Sequence, residues 1–342
     1  MADDRTWMRR ALRLARRGWG RTSPNPMVGA VVVRDGMEVG AGYHHRAGTP
    51  HAEVHALHAA GEQAREATIY VTLEPCCTHG RTPPCTEAIL KAGVARVVIG
   101  CVDPNPDHAG RGVEQLQVAG LSVTQGVLEA ECLTLNEAFL WWITQRRPLV
   151  LLKMAMTLDG KIATAAGQSQ WITGPAARKR VQRLRQWCDA IMVGGETVRL
   201  DNPSLTVRMP KNWPRQPLPL VWTARDLPPD CRVAQRGAAT AKPTTTAEWV
   251  ALLEELGRRE VTALLLEGGG ELAASALAAR VVNRVAFFVA PKILGGRESR
   301  PVVGGANRAC LDDAWQLAQT RCERVGEDFL LQGICTDVYG TD

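Results

Sequence analysis

Two consecutive α/β units are what this sequence predicts, and three observations predict them. Its 342 residues exceed one average domain of roughly 150 residues. Short β-rich runs alternate with helix-period runs along most of the chain, the order that builds layered α/β folds rather than bundles or sandwiches. Gln145-Arg146-Arg147-Pro148 interrupts the alternation with a polar, proline-ended link, which places the boundary between a unit of 1–147 and a unit of 148–342.

The first unit opens on an amphipathic helix over residues 3–18, with Trp7, Met8, Ala11, Leu12 and Ala15 at helical spacing and Gly18 as its stop. The turn cluster Ser23-Pro24-Asn25-Pro26 leads into strand 27–33, the turn Asp35-Gly36 and a second strand up to Tyr43, which together read as a hairpin. Helix 51–60 and strand 67–73 follow, then a helix started by Pro83-Pro84-Cys85 with proline in its favoured first turn. Strand 94–101, helix 112–119, strand 121–124 and one long helix, 129–145, complete the unit. In the second unit the pattern gives strand 149–156, helix 176–187, strand 190–193, a proline-rich stretch 202–217 and strand 218–223. After residues 226–246, where the pattern is weakest, come helix 247–258, strand 262–266, the turn Gly268-Gly269-Gly270, helix 271–279 and strand 284–289.

Hydrophobic content of 45% and charged content of 22% are ordinary globular values. The net charge of +6, carried largely by arginine, suits either nucleic acid or small phosphorylated ligands and does not choose between them. Ten cysteines at irregular spacings, with no N-terminal apolar signal run, predict reduced thiols in a cytoplasm. No apolar run approaches the ~20 residues that span a bilayer, so no membrane partner is expected. All seven histidines, at 44, 45, 51, 55, 58, 79 and 108, fall in the first third, and the second unit must work without imidazole.

The chemistry concentrates between His51 and Cys85. One imidazole, His51, and two thiols, Cys76 and Cys85, make three protein ligands and leave a tetrahedral zinc with one open position, the arrangement of a catalytic site. Zinc lowers the pKa of bound water from about 15.7 to roughly 7. Glu53, two residues past His51, does not share its helix face and is free to carry protons, which is the chemistry of hydrolytic deamination. His51 and Cys85 both fall at helix starts, where the dipole favours a thiolate. A protease-type pair of His51 and His55 would need glutamate next to the first histidine, but the order here is His51-Ala52-Glu53-Val54-His55. His55 and His58 are therefore read as packing or surface residues. Cys77, Cys101, Cys132 and the five later cysteines are read as buried thiols.

His51-Ala52-Glu53 followed by Pro75-Cys76 and a second cysteine resembles the cytidine and deoxycytidylate deaminase superfamily, in which the usual spacing is P-C-x-x-C. Here eight residues separate Cys76 from Cys85. That longer loop, Gly80-Arg81-Thr82-Pro83-Pro84-Cys85, together with Thr22-Ser23-Pro24-Asn25-Pro26-Met27-Val28-Gly29, Glu74-Pro75-Cys76 and Asp103-Pro104-Asn105-Pro106, resembles the bifunctional RibD family of riboflavin biosynthesis. The likeness runs over roughly residues 5–210 and resumes near 264. It implies a cytidine-deaminase-like three-layer domain followed by a dihydrofolate-reductase-like domain. The first would deaminate 2,5-diamino-6-(5-phosphoribosylamino)pyrimidin-4(3H)-one, and the second would use NADPH to reduce the ribosyl group to ribityl.

By the same resemblance Asn25 holds the pyrimidine, with His44 and Arg81 near the substrate and its phosphate. Ala155, Trp171, Thr197 and Asp201 contact NADPH, as does the run Gly269, Gly270, Glu271, Leu272, Ala273, Ala274 and Ser275. Ser169, Arg185, Leu205, Arg208 and Glu267 contact substrate, and either Asp201 or Glu267 assists proton movement. Thr78 and Thr223 stand where the family usually has histidine and aspartate.

Read without the resemblance, the second unit gives weaker signals. The glycine turn between strand and helix offers amides to a pyrophosphate. Arg178, Arg185, Arg208 and Lys153 offer cations to phosphate, although Arg178, Arg180 and Arg183 read better as a solvated helix face. Two alternatives stand beside the two-step enzyme: a nucleic-acid deaminase of the tRNA type, and a deaminase carrying an inactive reductase-like domain. Three Tyr, four Phe and ten scattered Trp argue against a stacking platform for single strands. Self-association is left open.

Overall fold

The computed structural model describes residues 3–79, 83–106 and 108–339, and the chain divides into two compact units, 1–146 and 147–342. In the first, helix α1 (Asp4–Ala15) is capped by Asp3, whose side chain accepts from the Thr6 N–H, and it buries Met8, Ala11, Leu12, Leu14 and Ala15. Strands β1 (Gly29–Arg34) and β2 (Met37–Tyr43), helix α2 (Ala52–Ala60), strand β3 (Thr68–Leu73), helix α3 (Cys85–Ala92), strand β4 (Arg96–Cys101), helix α4 (Arg111–Val118) and strand β5 (Ser122–Thr124) follow. They form a sheet of order β2-β1-β3-β4-β5, with β1 antiparallel to both neighbours and β3, β4 and β5 parallel. Gly29 lets α1 close on one face, since a Cβ there would overlap the Ala11 carbonyl, and Gly40 lets α2 close where a Cβ would overlap the Ala56 carbonyl. Gly40 pairs with Val32, an odd number of residues from Gly29, so the helices lie on opposite faces and the unit has three layers.

The single helix expected over 129–145 is two, α5 (Glu129–Leu135) and α6 (Glu137–Gln145). The break has a side-chain cause. Buried Asn136 accepts from the Met27 N–H at 2.8 Å and donates to the Met27 carbonyl at 2.9 Å, and its backbone leaves the helix at φ −111° and ψ 18°. A helical register continued through Asn136 would forfeit this pair and leave two buried backbone groups unsatisfied.

The second unit contains β6 (Leu149–Thr157), β7 (Lys161–Ala163), α7 (Pro175–Trp187), β8 (Ala190–Gly194), α8 (Gly195–Asp201), β9 (Leu218–Trp222) and β10 (Ala239–Ala241). It continues through α9 (Thr246–Arg258), β11 (Ala263–Glu267), α10 (Gly270–Ala278), β12 (Arg284–Ala290), β13 (Arg300–Pro301), β14 (Leu317–Val325) and β15 (Asp328–Cys335). Eight strands form one sheet in the order β10-β9-β8-β11-β6-β12-β15-β14, parallel as far as β12, and β13 pairs with β7 apart from it. β11 reads as an unbroken apolar run because it is central and covered on both faces: Leu264 and Leu266 pack with Trp249, Leu253, Leu272 and Ala276. The closing hairpin β14–β15 escapes the sequence reading because most of β14 is exposed and shows no apolar stripe. The parallel strands end on one side at Thr157, Gly194, Trp222 and Glu267, and ligands of open α/β sheets settle beyond such ends.

Candidate active sites

His51 is the N-cap of α2, Cys85 begins α3, and Cys76 lies in the loop after β3. His51 Nδ1 stands 3.5 Å from Cys76 Sγ and 3.3 Å from Cys85 Sγ, and the three donor atoms lie within 4.8 Å of one another. One imidazole nitrogen with two sulfurs is a zinc donor set. The Cys85 N–H donates to Cys76 Sγ at 3.3 Å, so the first amide of α3 supports negative charge on that sulfur. Hydrogen bonding from Cys85 holds Cys76 down to about 4, and the same bond pushes Cys85 up.

Glu53, in the first turn of α2, is 3% exposed, and burial pushes its carboxyl up to about 7. Its Oε2 has no hydrogen-bond partner among the described residues. A carboxyl with both protonation states populated near neutrality, beside a metal donor set, is equipped to move protons.

His44 follows β2 and is buried, and burial lowers its imidazole to about 4. Its Nδ1 stands 3.2 Å from the Pro50 carbonyl, which requires the proton there, and its Nε2 then accepts from Asn25 Nδ2 at 3.2 Å. The structure thus joins Asn25 and His44, and the His44 ring meets the His51 ring edge-on at 5.2 Å. Arg81 lies outside the described residues.

Glu74 has a part that spacing did not reveal. Its buried carboxylate accepts N–H groups from Asp103 at 3.1 Å, Gly110 at 3.0 Å, Gly112 at 2.9 Å and Val113 at 3.2 Å, which fastens residues 103–113 beside Cys76. The only sequence signal was a glutamate directly before Pro75-Cys76.

In the second unit a cavity of about 950 Å³ opens at the carboxyl ends of the parallel strands. On its wall Glu267 accepts from Arg185 Nε and Nη2, both at 2.9 Å, with Lys153 Nζ at 3.8 Å. Burial raises the Glu267 carboxyl, but the Arg185 and Lys153 charges outweigh it and hold the group below the usual carboxylate range. Burial pushes the Lys153 ammonium down against the pull of Glu267. Ser169 Oγ donates to Asp201 Oδ1 at 3.0 Å, so a residue expected at the substrate and one expected at the cofactor are in direct contact. Leu205 holds a left-handed backbone, φ +50°, and its segment is clasped by Arg185 to Thr206 O at 3.0 Å and Arg236 to Ser204 O at 2.7 Å. Arg208 also lines the cavity; burial, then the Arg185 charge, lowers its guanidinium.

Gly268 and Gly269, at φ +105° and +93°, make a turn that other residues would strain, and it opens α10 toward the cavity with Thr197 beside it. Ala155, Trp171, Asp201, Gly270, Glu271 and Leu272 line the cavity as well. Ala273, Ala274 and Ser275 follow them along α10. Ala273 is fully buried in the core, Ala274 is buried, and Ser275 Oγ donates to Pro243 O at 3.1 Å while accepting from Trp249 Nε1 at 3.0 Å. Arg178 lines the cavity too, its guanidinium 4.7 Å from the centre of the Trp171 ring and donating to Thr173 O at 2.7 Å. Cys310 and Cys322 are exposed rather than buried.

Residues 1–101 match the cytidine and deoxycytidylate deaminase zinc-binding region, and residues 148–331 match the RibD C-terminal domain. The chain is 43% identical to riboflavin biosynthesis protein RibD of Actinobacillus pleuropneumoniae, over 96% of this chain and 94% of that one. The chain belongs to the RibD family. The RibD of Escherichia coli is 42% identical over 96% of this chain and 98% of its own. A solved RibD structure from Acinetobacter baumannii, 37% identical, superposes with a TM-score of 0.88 over 97% of this chain and 99% of that one. A Thermotoga maritima structure described as a diaminohydroxyphosphoribosylaminopyrimidine deaminase and 5-amino-6-(5-phosphoribosylamino)uracil reductase gives 0.85 at 35% identity, over 97% and 98%. RibD proteins join a deaminase domain to a reductase domain, and both are present here. Within the RibD reductase half, Arg232 is a further cavity residue, electrostatically coupled to Arg208, that came from the uninformative stretch.

Proposed function

We propose that the chain deaminates 2,5-diamino-6-(5-phosphoribosylamino)pyrimidin-4(3H)-one in its first unit and reduces the ribosyl group of the product with NADPH in its second. The observation that carries the first step is the buried carboxyl of Glu53, raised to about 7 and open at Oε2 among the described residues, beside His51, Cys76 and Cys85. Those three residues would hold zinc, which when bound supplies Lewis acidity that makes water nucleophilic at neutral pH. Glu53 takes a proton from the attacking water and returns it to the exocyclic nitrogen that leaves as ammonia. His44, protonated toward Pro50, fixes the Asn25 amide so that the Asn25 carbonyl oxygen meets the pyrimidine.

For the second step NADPH supplies hydride when bound. The chain's share is orientation and proton supply, which a histidine-free unit can provide. Arg208 and Arg232 face the ribotide phosphate, and Ser169–Asp201 and Lys153–Glu267 are proton-bearing pairs on the cavity wall. Family membership favours this reading over the tRNA-type deaminase, and the intact ion cluster in the cavity speaks against a decayed reductase. No helix among the described residues is long and apolar enough to cross a membrane.

Incubating the purified protein with the diaminopyrimidine ribotide tests both steps. Mass spectrometry should show deamination without NADPH and a further gain of two hydrogens with it. An untouched ribotide in zinc-loaded protein would sink the riboflavin reading, and deamination without NADPH consumption would sink only the reductase half.

A further inference from the structure

Between β7 and α7 the chain builds one wall of the second-unit cavity, lined by Ser169, Gln170, Trp171, Ile172 and Thr173. At one end of this wall Ser169 Oγ donates to Asp201 Oδ1 at 3.0 Å. At the other, the Thr173 carbonyl accepts from Arg178 at 2.7 Å and the Gly174 N–H donates to Asp328 Oδ2 at 2.8 Å. The middle is gripped by Lys292, whose Nζ donates to the Trp171 carbonyl at 3.0 Å and to the Ile172 carbonyl at 2.8 Å. Successive carbonyls of an extended chain point to opposite sides, so two neighbours converging on one ammonium mark a built contact.

Lys292 is exposed, and a lysine on a free surface leaves its ammonium in water. This one stands on a fixed base. Its N–H donates to the Ala290 carbonyl at 2.8 Å, and its carbonyl accepts the Leu158 N–H at 2.7 Å. Asp159, next to Leu158, accepts the N–H groups of Leu294 at 3.0 Å and Gly295 at 2.7 Å. The loops that follow β6 and β12 are thus clipped into one platform, from which the lysine reaches the wall. What the wall carries makes its position matter. Ser169 is expected at the substrate and Trp171 at the cofactor, two residues apart. Hydride transfer needs donor and acceptor close and aligned, and a displacement of about 1 Å costs on the order of 10²-fold in rate.

We propose that Lys292 is a positioning residue for the reduction: its ammonium fixes the two carbonyls at the centre of the wall and so sets how Ser169 and Trp171 present the two reactants to each other. The assignment rests on the reductase reading. Lys292 acts through the wall, whose ends are secured separately by Asp201, Arg178 and Asp328, so its loss frees the centre and leaves the ends attached.

Lys292→Met keeps the stem and removes the donors, whereas Lys292→Arg keeps donors, and the two are compared in the full zinc-loaded chain. Without ligands, amide hydrogen exchange over residues 168–174 should quicken about tenfold in Lys292→Met and stay near the wild-type rate in Lys292→Arg. With the deaminated ribotide supplied, kcat for NADPH oxidation should fall by about 10- to 100-fold in Lys292→Met and largely recover in Lys292→Arg, with deamination unchanged in both. NADPH deuterated at carbon 4 should give Lys292→Met an isotope effect on kcat at least as large as that of the wild type, because hydride transfer is the step that slows. Wild-type exchange and kcat in Lys292→Met overturn the proposal. Equal losses in the two variants overturn it too, since the carbonyl bonds would then not matter, and so does a smaller isotope effect, which would place the loss in another step. A wild type that deaminates the ribotide but never oxidises NADPH overturns the reductase reading and the proposal with it.

Discussion

In the first unit the reactive groups converge, with His51, Cys76 and Cys85 offering donors within 4.8 Å and one buried carboxyl beside them. In the second, the polar groups are spread along a cavity of about 950 Å³, from Lys153 and Glu267 past a glycine turn to Arg225 and Lys242. A converged site fails when any one part is removed, whereas a dispersed site loses function by degrees. The two halves of one chain therefore offer an internal control for each other. Cys85→Ala should produce the largest contrast: zinc content falls to background and deamination disappears, while NADPH oxidation continues when the deaminated ribotide is supplied. Elemental analysis with both assays checks this, and zinc retained in the variant would remove Cys85 from the ligand set.

Glu53→Gln comes next. Only the proton carrier is lost, so zinc should stay and deamination should fall by about 10² to 10⁴. Metal loss in this variant would make Glu53 a ligand and refute the proton-carrying role given to it.

The same contrast explains what could be read from the chain. His51, Cys76, Cys85 and Glu53 were legible because zinc chemistry demands particular side chains, and two of the ligands mark helix starts that proline and spacing reveal. Most strands and helices were legible for the same local reason, periodicity. Asn136 was not, because its partner Met27 lies 109 residues away and a lone asparagine in a helical pattern carries no sign of that pairing. Glu74 stood within the Glu74-Pro75-Cys76 motif, but its role was not legible, since its partners are backbone amides brought to it only by folding. In the second unit Gly269 to Leu272 line the cavity, and Ala273 and Ala274 are buried.

Glu267→Gln probes the dispersed site where it is most tightly built. The change removes the negative charge between two buried cations, Arg185 and Lys153, and breaking such an arrangement costs on the order of 3 kcal/mol. Denaturant unfolding followed through the second unit should register that loss, together with a slowed reduction and unchanged deamination. Glu267→Gln with wild-type stability would mean that the cluster is hydrated and not a buried ion group.

Acid should separate the halves by the smallest of these effects. In the first unit burial lowers His44 from 6.5 to about 4 and lowers His55 as well. For His44, between these values the unfolded chain binds a proton that the folded imidazole refuses, so its contribution, present above about pH 6.5, is lost as pH falls toward 4, while Glu53, raised to about 7, acts in the opposite sense and offsets part of that loss. His44 alone contributes on the order of 3 kcal/mol. The second unit has no histidine, and its buried carboxylate Glu267 is shifted downward, so its contribution persists until pH falls below the usual carboxylate range. Zinc-loaded protein held at graded pH and assayed after return to neutrality should therefore lose deamination at a higher pH than reduction. Coincident losses would show that the two units unfold together, and His44→Gln should move the deaminase midpoint down toward that of the reductase.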